Sequence, residues 1–310
     1  MIAFVMSGGG SRGALQVGAL KALLERGIRP DMVVGTSVGA INAVCLAADP
    51  TYERVEKLAQ FWRETRREDI YPDNWLNVGW RVLRGQGSLY SNETFRRFLT
   101  QRLAPDGETF GDLAKIPCLI VVTNLETGAM RIMGERESDH VVTTLLATTA
   151  LPPLHPPVRL DEGEYVDGAA VALLPVEVAL QRGAREVYAL HIIDGPTPPE
   201  GVGRRTVLNV AGKTIGALVQ RQWETSVSLV NNKRVRLHHI KLFPPSRCPM
   251  WDYSKTDEMI TAGYEQTRAY LSSLPVESTW QARVRQRAAT LLPRPRPRKP
   301  AAVPISNGQQ

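Results

Sequence analysis

The sequence predicts an α/β fold with a mainly parallel central sheet, and three features near its start support this. Residues 1–6 form a short apolar run typical of a buried strand, and a glycine-rich loop follows. Apolar side chains then recur at helical spacing over residues 14–26, and Gly27 ends the helix. A second apolar strand over residues 32–34 and an alanine-rich helix to about Ala48 complete the alternation. Strand, helix, strand, helix is the order of a parallel sheet with right-handed crossovers.

Later segments continue this alternation. Residues 118–123 are predicted to form a strand that pairs with residues 129–133. We expect Ser138 and Asp139 to cap a helix that runs through Thr149. Further elements are also expected: a short strand before Asp167, a helix that opens at Pro175, a strand over 186–193, and one or two helices within 207–230.

The length and composition suit one large α/β domain with an elaborated cap. The chain has 310 residues, and 43% of them are hydrophobic, enough to bury a substantial core. We expect a catalytic core over residues 1–195 with a cap insertion at about 60–112, and a helical and strand-containing C-terminal part over 196–278. The basic, Pro- and Arg-rich segment 279–310 is predicted to be a disordered tail.

The net charge of +7 belongs to the tail. Residues 278–310 carry seven basic and no acidic side chains, which leaves 31 basic against 31 acidic residues in the rest. A neutral body makes nucleic-acid binding improbable, because such folds usually carry a basic patch on the domain itself. Two roles for the tail stay open: it keeps the chain soluble, or it draws it to an anionic membrane.

The sequence indicates a cytoplasmic protein, with peripheral contact at the inner face of the membrane as a further possibility. It contains no run of apolar residues long enough to span a bilayer, and its start lacks the basic segment of a signal peptide. Cys45, Cys118 and Cys248 lie far apart without metal-ligand spacing, so we expect buried thiols, no disulfide framework and no metal.

The loop after the first strand has two possible uses. Gly8, Gly10 and Gly13 match the dinucleotide pattern G-x-G-x-x-G, but the second strand ends in Gly35-Thr36-Ser37 without the acidic residue that would hold a ribose. We therefore expect no nucleotide cofactor. Consecutive glycines beside a helix N-terminus instead favour an oxyanion-binding loop built from backbone N–H groups. Arg12 is either an electrostatic contributor to that loop or to a substrate phosphate, or an exposed structural arginine.

The pentapeptide Gly35-Thr36-Ser37-Val38-Gly39 is a nucleophile-elbow pattern between an apolar strand and a helix. The flanking glycines let the backbone turn sharply while the serine hydroxyl stays exposed. The alternative is an ordinary turn in which the Ser37 hydroxyl caps the helix.

A serine nucleophile needs a base, and no histidine lies in the Gly-rich loop where a triad histidine normally stands. We expect all five to be surface or packed structural residues: His140, His155, His191, His238 and His239. Asp167 is the better candidate, because it follows a short strand and precedes the small residues Gly168 and Ala169. An aspartate within hydrogen-bond reach can take the serine proton directly. An Asp-Gly turn at a strand end is the alternative for this motif.

Together these motifs resemble the patatin-like phospholipase family over about the first two-thirds of the chain. Four segments carry the resemblance: the loop Gly8-Gly9-Gly10-Ser11-Arg12-Gly13, the elbow Gly35–Gly39, the segment Thr148–Pro153, and Asp167-Gly168-Ala169. The resemblance implies a three-layer α/β/α fold, a Ser37–Asp167 dyad, an oxyanion loop over Gly8–Gly13, and a lipid acyl hydrolase that uses no metal or cofactor.

The expected partner is a lipid ester, hydrolysed by a phospholipase, lysophospholipase or esterase activity. Trp62, Trp75 and Trp80 lie in the cap region with interleaved arginines, which suits contact with lipid headgroups or packing on the domain's own core. Three rivals stay open: a Ser–His–Asp esterase, a catalytically silent regulatory protein on the same fold, and a dinucleotide oxidoreductase.

Overall fold

The computed structural model describes residues 1–72, 84, 88–103, 107–161, 163–193 and 235–274. Met1–Leu271 form one compact unit, and the remaining unit, Ser272–Gln310, is described only in its first three residues. The helices predicted within 207–230, the tail, Trp75 and Trp80 lie outside the described residues.

One mixed sheet holds eight strands of the described chain. They are β1 (Ile2–Met6), β2 (Met32–Thr36), β3 (Cys118–Asn124), β4 (Met130–Met133), β5 (Val158–Leu160), β6 (Gly163–Asp167), β7 (Glu186–Ile192) and β8 (Arg236–Leu242). Their order is β5-β6-β3-β2-β1-β7-β8, with β4 paired to β3. Five neighbouring strands are parallel to one another: β3, β2, β1, β7 and β8. Strands β4 and β6 run antiparallel to β3. The predicted mainly parallel sheet and the predicted pairing of residues 118–123 with 129–133 are confirmed.

Helices cover the sheet. They are α1 (Ala14–Glu25), α2 (Val38–Ala48), α3 (Tyr52–Glu64), α4 (Arg67–Ile70), α5 (Glu93–Leu103), α6 (Phe110–Leu113), α7 (Val141–Thr148), α8 (Ala169–Ala172), α9 (Val176–Gln181) and α10 (Thr256–Ser273), and a 3₁₀ turn spans Gly10–Gly13. No helix in these described ranges combines the length and apolar character needed to cross a membrane.

The expected cap of α7 is wrong. The helix begins at Val141 with His140 at its N-cap position, and no side chain caps it. The Asp139 carboxylate instead accepts a hydrogen bond from the Gly134 N–H at 2.8 Å, so it stabilises the turn that follows β4. The Asp139 carboxylate thus bonds to a backbone N–H of the neighbouring turn and not to one at the start of the helix. Short acidic side chains often form such local bonds.

The inner strands are apolar along their whole length because both faces of the sheet are covered. On one face, Ala3 and Val5 of β1 join side chains of β2, β3 and β7 in a buried cluster that packs on α9 through Val176 and Val178. The intervening residue Phe4 is fully buried on the other side. The three-layer α/β/α arrangement is therefore confirmed.

Strand register brings the ends of β2 and β6 together around β3. Thr36, the last residue of β2, pairs with Val121 of β3. The next residue of β3, Val122, pairs with Asp167, the last residue of β6. Ser37 directly follows β2, and Asp167 is the last residue of β6. The two residues are 130 positions apart in sequence, yet both lie beside the same segment of β3.

Candidate active site

Ser37 occupies a strained turn between β2 and α2. Its backbone has φ 54° and ψ −129°, in a region that is costly for a residue with a side chain. Glycines on either side make this turn possible. A Cβ atom added to Gly35 would lie 2.6 Å from the Gly39 oxygen, and one added to Gly39 would lie 2.4 Å from the Met6 oxygen. Any side chain at either position would push the turn off the sheet.

The Ser37 hydroxyl donates a hydrogen bond to Oδ2 of Asp167 at 2.7 Å. The second carboxylate oxygen, Oδ1, accepts from the Ala169 N–H at 2.8 Å, which fixes the orientation of the group. A Cβ atom on Gly168 would lie 2.2 Å from the Val121 oxygen, so only glycine lets this turn sit against β3. Asp167 is 6% exposed, and its side chain is directed at the serine.

The Asp167 environment suits a proton acceptor. Burial raises its pKa to about 6, because the carboxylate loses water, and the hydrogen bonds from Ala169 and Ser37 act in the opposite direction. A carboxylate with this pKa is largely ionised at neutral pH and is a stronger base than an exposed aspartate. Such a pKa is well placed for general-base chemistry.

Thr148 of α7 holds the turn from its other side. The Ser37 N–H donates to Thr148 Oγ1 at 2.9 Å, and that hydroxyl donates in turn to the Val121 oxygen at 2.6 Å. The backbone N–H of Ser37 therefore helps to hold the turn in place. The sequence pointed to Thr148 only as part of the segment resembling the family, with no role attached.

The glycine loop lies directly beside Ser37. A Cβ atom on Gly8 would stand 3.2 Å from the Ser37 Cβ, so glycine is needed for this close approach. The Gly8 N–H donates to the Leu173 oxygen at 3.2 Å and the Ser11 N–H to the Met250 oxygen at 2.8 Å. These two N–H groups, which the sequence includes in the oxyanion loop, are therefore already engaged within the protein.

Gly9 and Gly10 are the remaining candidates in the first half of the loop. In the described part of the chain their N–H groups donate to no acceptor. The N–H groups of Arg12 and Gly13 lie within the 3₁₀ turn, where i to i+3 bonds use such groups. The loop thus offers two adjacent unengaged donors beside the serine.

Arg12 is mostly buried, so the alternative of an exposed structural arginine is wrong. Its Nε donates to the Gly9 oxygen at 3.0 Å, which fixes the peptide next to the unengaged donors. Burial lowers the pKa of the guanidinium, and the Cys248 thiolate would act in the opposite direction. The Arg12 side chain therefore stabilises the conformation of the glycine loop.

A buried polar network connects the glycine loop to α2 and α3. Asn42 Nδ2 donates to the Gly13 oxygen at 3.0 Å and to Gln16 Oε1 at 2.9 Å, while Asn42 Oδ1 accepts from Trp62 Nε1 at 2.9 Å. Gln16 Nε2 donates to the Ser7 oxygen at 2.8 Å. Asn42, on the helix that Ser37 opens, thus ties both ends of the loop in place.

Comparison with known families matches residues 4–180, 177 of the 310 residues, to the family described as patatin-like phospholipase. The chain belongs to the patatin-like phospholipase family.

It is 30% identical over 192 residues to mouse patatin-like phospholipase domain-containing protein 6, a match that covers 62% of this chain and 13% of that protein. It is 31% identical over 203 residues to lysophospholipase NTE1 of Mycosarcoma maydis, which covers 64% and 10% respectively. The chain therefore matches only about an eighth or less of the length of these relatives. Among solved structures, VipD of Legionella pneumophila matches with a TM-score of 0.47 and 17% identity over 87% of this chain and 66% of that one.

In this patatin-like domain, the serine and aspartate face a cavity of about 50 Å³. Its floor consists of the groups at the strand ends that line it, which are Gly10, Ser37 and Asp167, and Thr148 supports this floor through its hydrogen bond with the Ser37 N–H. Its cover is mainly aromatic and apolar: Ile70, Tyr71, Phe95, Phe98, Met250 and Tyr253. The cavity thus has polar groups on one side and apolar side chains on the other. This composition is usual for a site that binds an apolar ligand with one reactive polar group.

Trp62 is not exposed at the surface, where a lipid headgroup would lie. It is 2% exposed, lines the cavity, and uses its indole N–H on Asn42. Of the two interpretations of the cap tryptophans, packing on the domain's own core is the correct one at this position.

His140 is exposed and the other four histidines are packed against their neighbours, and His155 alone of the five lines the cavity. Its Nε2 lies 3.1 Å from the Ile70 oxygen, and burial lowers its pKa. Neither Ser37 nor Asp167 makes a hydrogen bond with any histidine. His191 and His239 instead pair with each other at 3.0 Å, and His238 contacts Glu186. That His155 borders the cavity could not be predicted from the sequence, because this residue stands between proline pairs in a loop.

Cys45, Cys118 and Cys248 are buried thiols, as expected. Within the described residues, no group of three or more His, Cys, Asp or Glu side chains is placed to hold a metal ion.

Proposed function

We propose that this chain is a lipid acyl hydrolase that cleaves carboxylic esters through an acyl-Ser37 intermediate. The observation that carries the proposal is the 2.7 Å hydrogen bond from the Ser37 hydroxyl to a buried Asp167 at a strained elbow. A serine that only capped α2 would direct its hydroxyl at the helix N–H groups, and no such bond is made. Membership of the patatin-like phospholipase family and the apolar cover of the cavity support an acyl chain as ligand.

In the first half-reaction, Asp167 takes the hydroxyl proton as Ser37 Oγ bonds to the ester carbonyl carbon. The carbonyl oxygen becomes an oxyanion, and we assign its stabilisation to the unengaged N–H groups of Gly9 and Gly10. The intermediate then collapses. The bond between the carbonyl carbon and the alkoxy oxygen breaks, Asp167 returns its proton to the alcohol, and the acyl group remains on Ser37.

In the second half-reaction, a water molecule takes the place of the alcohol. Asp167 accepts a proton from this water as its oxygen bonds to the acyl carbon, and the same oxyanion donors act again. The bond to Ser37 Oγ breaks, the proton on Asp167 returns to the serine, and the fatty acid leaves. Each step uses only groups of this chain and water, so we propose no metal or cofactor.

The choice of lipid is supported only by the relatives. One is named a lysophospholipase and others carry the name patatin-like phospholipase, but this chain matches a small part of each. We therefore propose the chemical class, an ester of a long-chain acid, and assign the particular headgroup to experiment.

Ser37→Ala tests the proposal. We expect hydrolysis of p-nitrophenyl and glycerol esters to fall by about 10⁴-fold or more, since the nucleophile is lost. A fluorophosphonate probe should add its mass to the peptide that contains Ser37 in the wild type and not in the variant. Ser246→Ala, which changes an exposed serine bonded to Lys255, is the matched control and should behave as the wild type.

His155→Gln distinguishes the dyad from a Ser–His–Asp esterase, because His155 is the histidine that lines the cavity. The dyad predicts that most of the activity survives this change. A loss as large as that of Ser37→Ala would favour the triad, and activity that survives Ser37→Ala would overturn both mechanisms.

A further inference from the structure

The Tyr71 hydroxyl is a buried polar group without a partner in the described protein. Tyr71 directly follows α4 and is 8% exposed. Its ring packs against His155, with centroids 5.3 Å apart, and against Tyr90 at 5.7 Å. Its hydroxyl makes no hydrogen bond with any described residue. Buried tyrosine hydroxyls normally have a hydrogen-bond partner, so this one calls for a ligand.

The Tyr71 hydroxyl is not sealed within the protein, although most of its side chain is buried. Among described residues, the fully enclosed side-chain atoms that lack a partner are the hydroxyls of Thr144 and Thr267. The Tyr71 hydroxyl is therefore not fully enclosed, and Tyr71 lines the same cavity as Ser37 and Asp167.

Asp167 also lies within electrostatic reach of the phenol. Burial first, and the Asp167 charge second, raise the pKa of Tyr71 to about 12. Tyr71 is thus a protonated, neutral donor over the whole physiological pH range. Its O–H can be donated to a ligand atom that is close to the Asp167 carboxylate.

The proposed mechanism places one ligand atom at that position. The ester carbonyl oxygen is directed to Gly9 and Gly10, whereas the alkoxy oxygen of the leaving alcohol receives its proton from Asp167. Because this proton transfer needs hydrogen-bond contact, the alkoxy oxygen must lie beside the Asp167 carboxyl group.

We propose that the Tyr71 hydroxyl donates a hydrogen bond to the alkoxy oxygen of the leaving alcohol, which makes Tyr71 a substrate-contacting residue for this half of the ester. The inference rests on the proposed acyl-hydrolase function. During collapse of the intermediate, the carbon–oxygen bond breaks and negative charge develops on the alkoxy oxygen. Tyr71 stabilises that charge and keeps its own proton, while Asp167 supplies the proton that the alcohol carries away.

Tyr253 is the natural comparison. It belongs to the same cover, its hydroxyl also makes no hydrogen bond with a described residue, and its ring stacks on Trp62 at 6.3 Å. Its pKa is raised by burial and then by the charges of Tyr71 and Asp69, without an effect of Asp167. Because Asp167 does not contribute to this shift, we assign the Tyr253 hydroxyl no contact with the alkoxy oxygen.

The test uses two esters of the same acyl chain, a glycerol monoester and a p-nitrophenyl ester. Glycerol alkoxide is a poor leaving group that needs stabilisation, whereas p-nitrophenolate departs readily without it. In the whole 310-residue chain, Tyr71→Phe should lower kcat/KM for the glycerol ester by about 100- to 1,000-fold, the cost of one donor to a developing oxyanion. For the p-nitrophenyl ester the loss should stay below about threefold, since that charge is delocalised in the ring and needs no donor.

Two controls separate this role from a structural one. Tyr90→Phe changes a tyrosine of the same aromatic cluster that does not line the cavity, and Tyr253→Phe changes the other cover hydroxyl. Both should leave the ratio of the two kcat/KM values at the wild-type level. Fluorophosphonate labelling of Ser37 expels fluoride rather than an alcohol, so Tyr71→Phe should be labelled at the wild-type rate.

Equal losses on the two esters, or slower labelling, would show that Tyr71 only supports the fold of the site. No loss on either ester would show that the hydroxyl does not contact the leaving group. Both results overturn the inference and leave the dyad intact. A Ser37→Ala variant that still cleaves the p-nitrophenyl ester would instead remove the proposed function itself.

Discussion

The floor and the cover of the cavity differ in how their polar groups are satisfied. On the floor, the Ser37 N–H is held by Thr148, and the Asp167 carboxylate accepts from Ser37 and Ala169. On the cover, the side chains are mainly apolar, and the hydroxyls of Tyr71 and Tyr253 make no hydrogen bond within the described protein.

This difference indicates that the floor is organised before a ligand arrives, whereas the cover is completed by the ligand. Donors that are already oriented stabilise a transition state without reorganisation at the moment of reaction. The cavity of about 50 Å³ is far smaller than the roughly 300–1,000 Å³ of typical ligand sites. A long acyl chain therefore requires the cover side chains to move while the floor stays fixed.

Asp167→Asn should produce the largest effect, because it removes the proton acceptor and leaves the shape of the floor. We expect kcat/KM to fall by about 10⁴-fold, as when a catalytic base is neutralised without loss of geometry. The kcat/KM of the wild type should fall as the pH drops below about 6, because Asp167 becomes protonated there. A wild-type pH profile without an inflection near that value would contradict the assignment of Asp167 as the base.

The same substitution should make the protein more stable at neutral pH. The pKa of Asp167 is about 6 in the folded protein against 3.8 for an unperturbed aspartate, so the native state binds more protons between those pH values. The free energy of unfolding of the wild type must then fall as the pH rises through this window. Asp167→Asn should gain up to about 3 kcal/mol over the wild type at pH 7.5 and nothing at pH 3, measured by urea unfolding.

Asp161→Asn is the control for this measurement. Asp161 is an exposed aspartate whose pKa is lowered by Arg131, so its linkage has the opposite sign. Loss of this carboxylate should leave stability unchanged or lower at neutral pH. A gain for both variants would indicate a general charge effect rather than the buried base.

Thr148→Val tests whether the floor is held by one hydrogen bond. The change leaves the Ser37 N–H without its acceptor, and an unsatisfied buried donor costs about 1–3 kcal/mol. We expect kcat to fall by about tenfold with a small change in KM, because this donor orients the nucleophile rather than the ligand.

Thr144→Val is matched to it on the same helix. Thr144 is equally buried, and its hydroxyl makes no hydrogen bond in the described protein, so its loss should leave kcat unchanged. Thermal unfolding should show Thr144→Val at or slightly above the stability of the wild type. Equal losses of kcat in both variants would attribute the effect to packing of α7.

Phe98→Leu should produce the smallest effect, and it tests the cover. A shorter side chain at Phe98 enlarges the apolar wall, so the ratio of kcat/KM for long- over short-chain p-nitrophenyl esters should change by about three- to tenfold. Activity on the acetate ester, which depends on the floor, should stay near the wild-type level. Phe110→Leu, a buried phenylalanine that does not line the cavity, should leave the ratio unchanged.

Local sequence patterns were sufficient for the first two strands and for the turn around Ser37. Apolar runs predicted β1 and β2, and the spacing of Gly35 and Gly39 predicted the turn around Ser37. These features depend on a few neighbouring residues, whose apolar period and steric freedom can be read directly.

Contacts between distant segments could not be predicted in the same way. The bond from Ser37 to Thr148, the engagement of the Ser11 N–H by Met250 and the position of Tyr71 all depend on strand register and on how loops pack. Resemblance to a family suggested which motifs meet, but it did not indicate which N–H groups of the glycine loop remain unengaged.

The contact between Ser11 and the loop after β8 has a consequence for protein synthesis. The Ser11 N–H and hydroxyl are held by the carbonyls of Met250 and Pro249, and 238 positions separate Ser11 from Pro249. At roughly 5–20 residues per second, a ribosome needs about 12–48 s to add that much chain. While these residues are added, the nascent polypeptide carries Ser37 beside a glycine loop that still lacks this anchor.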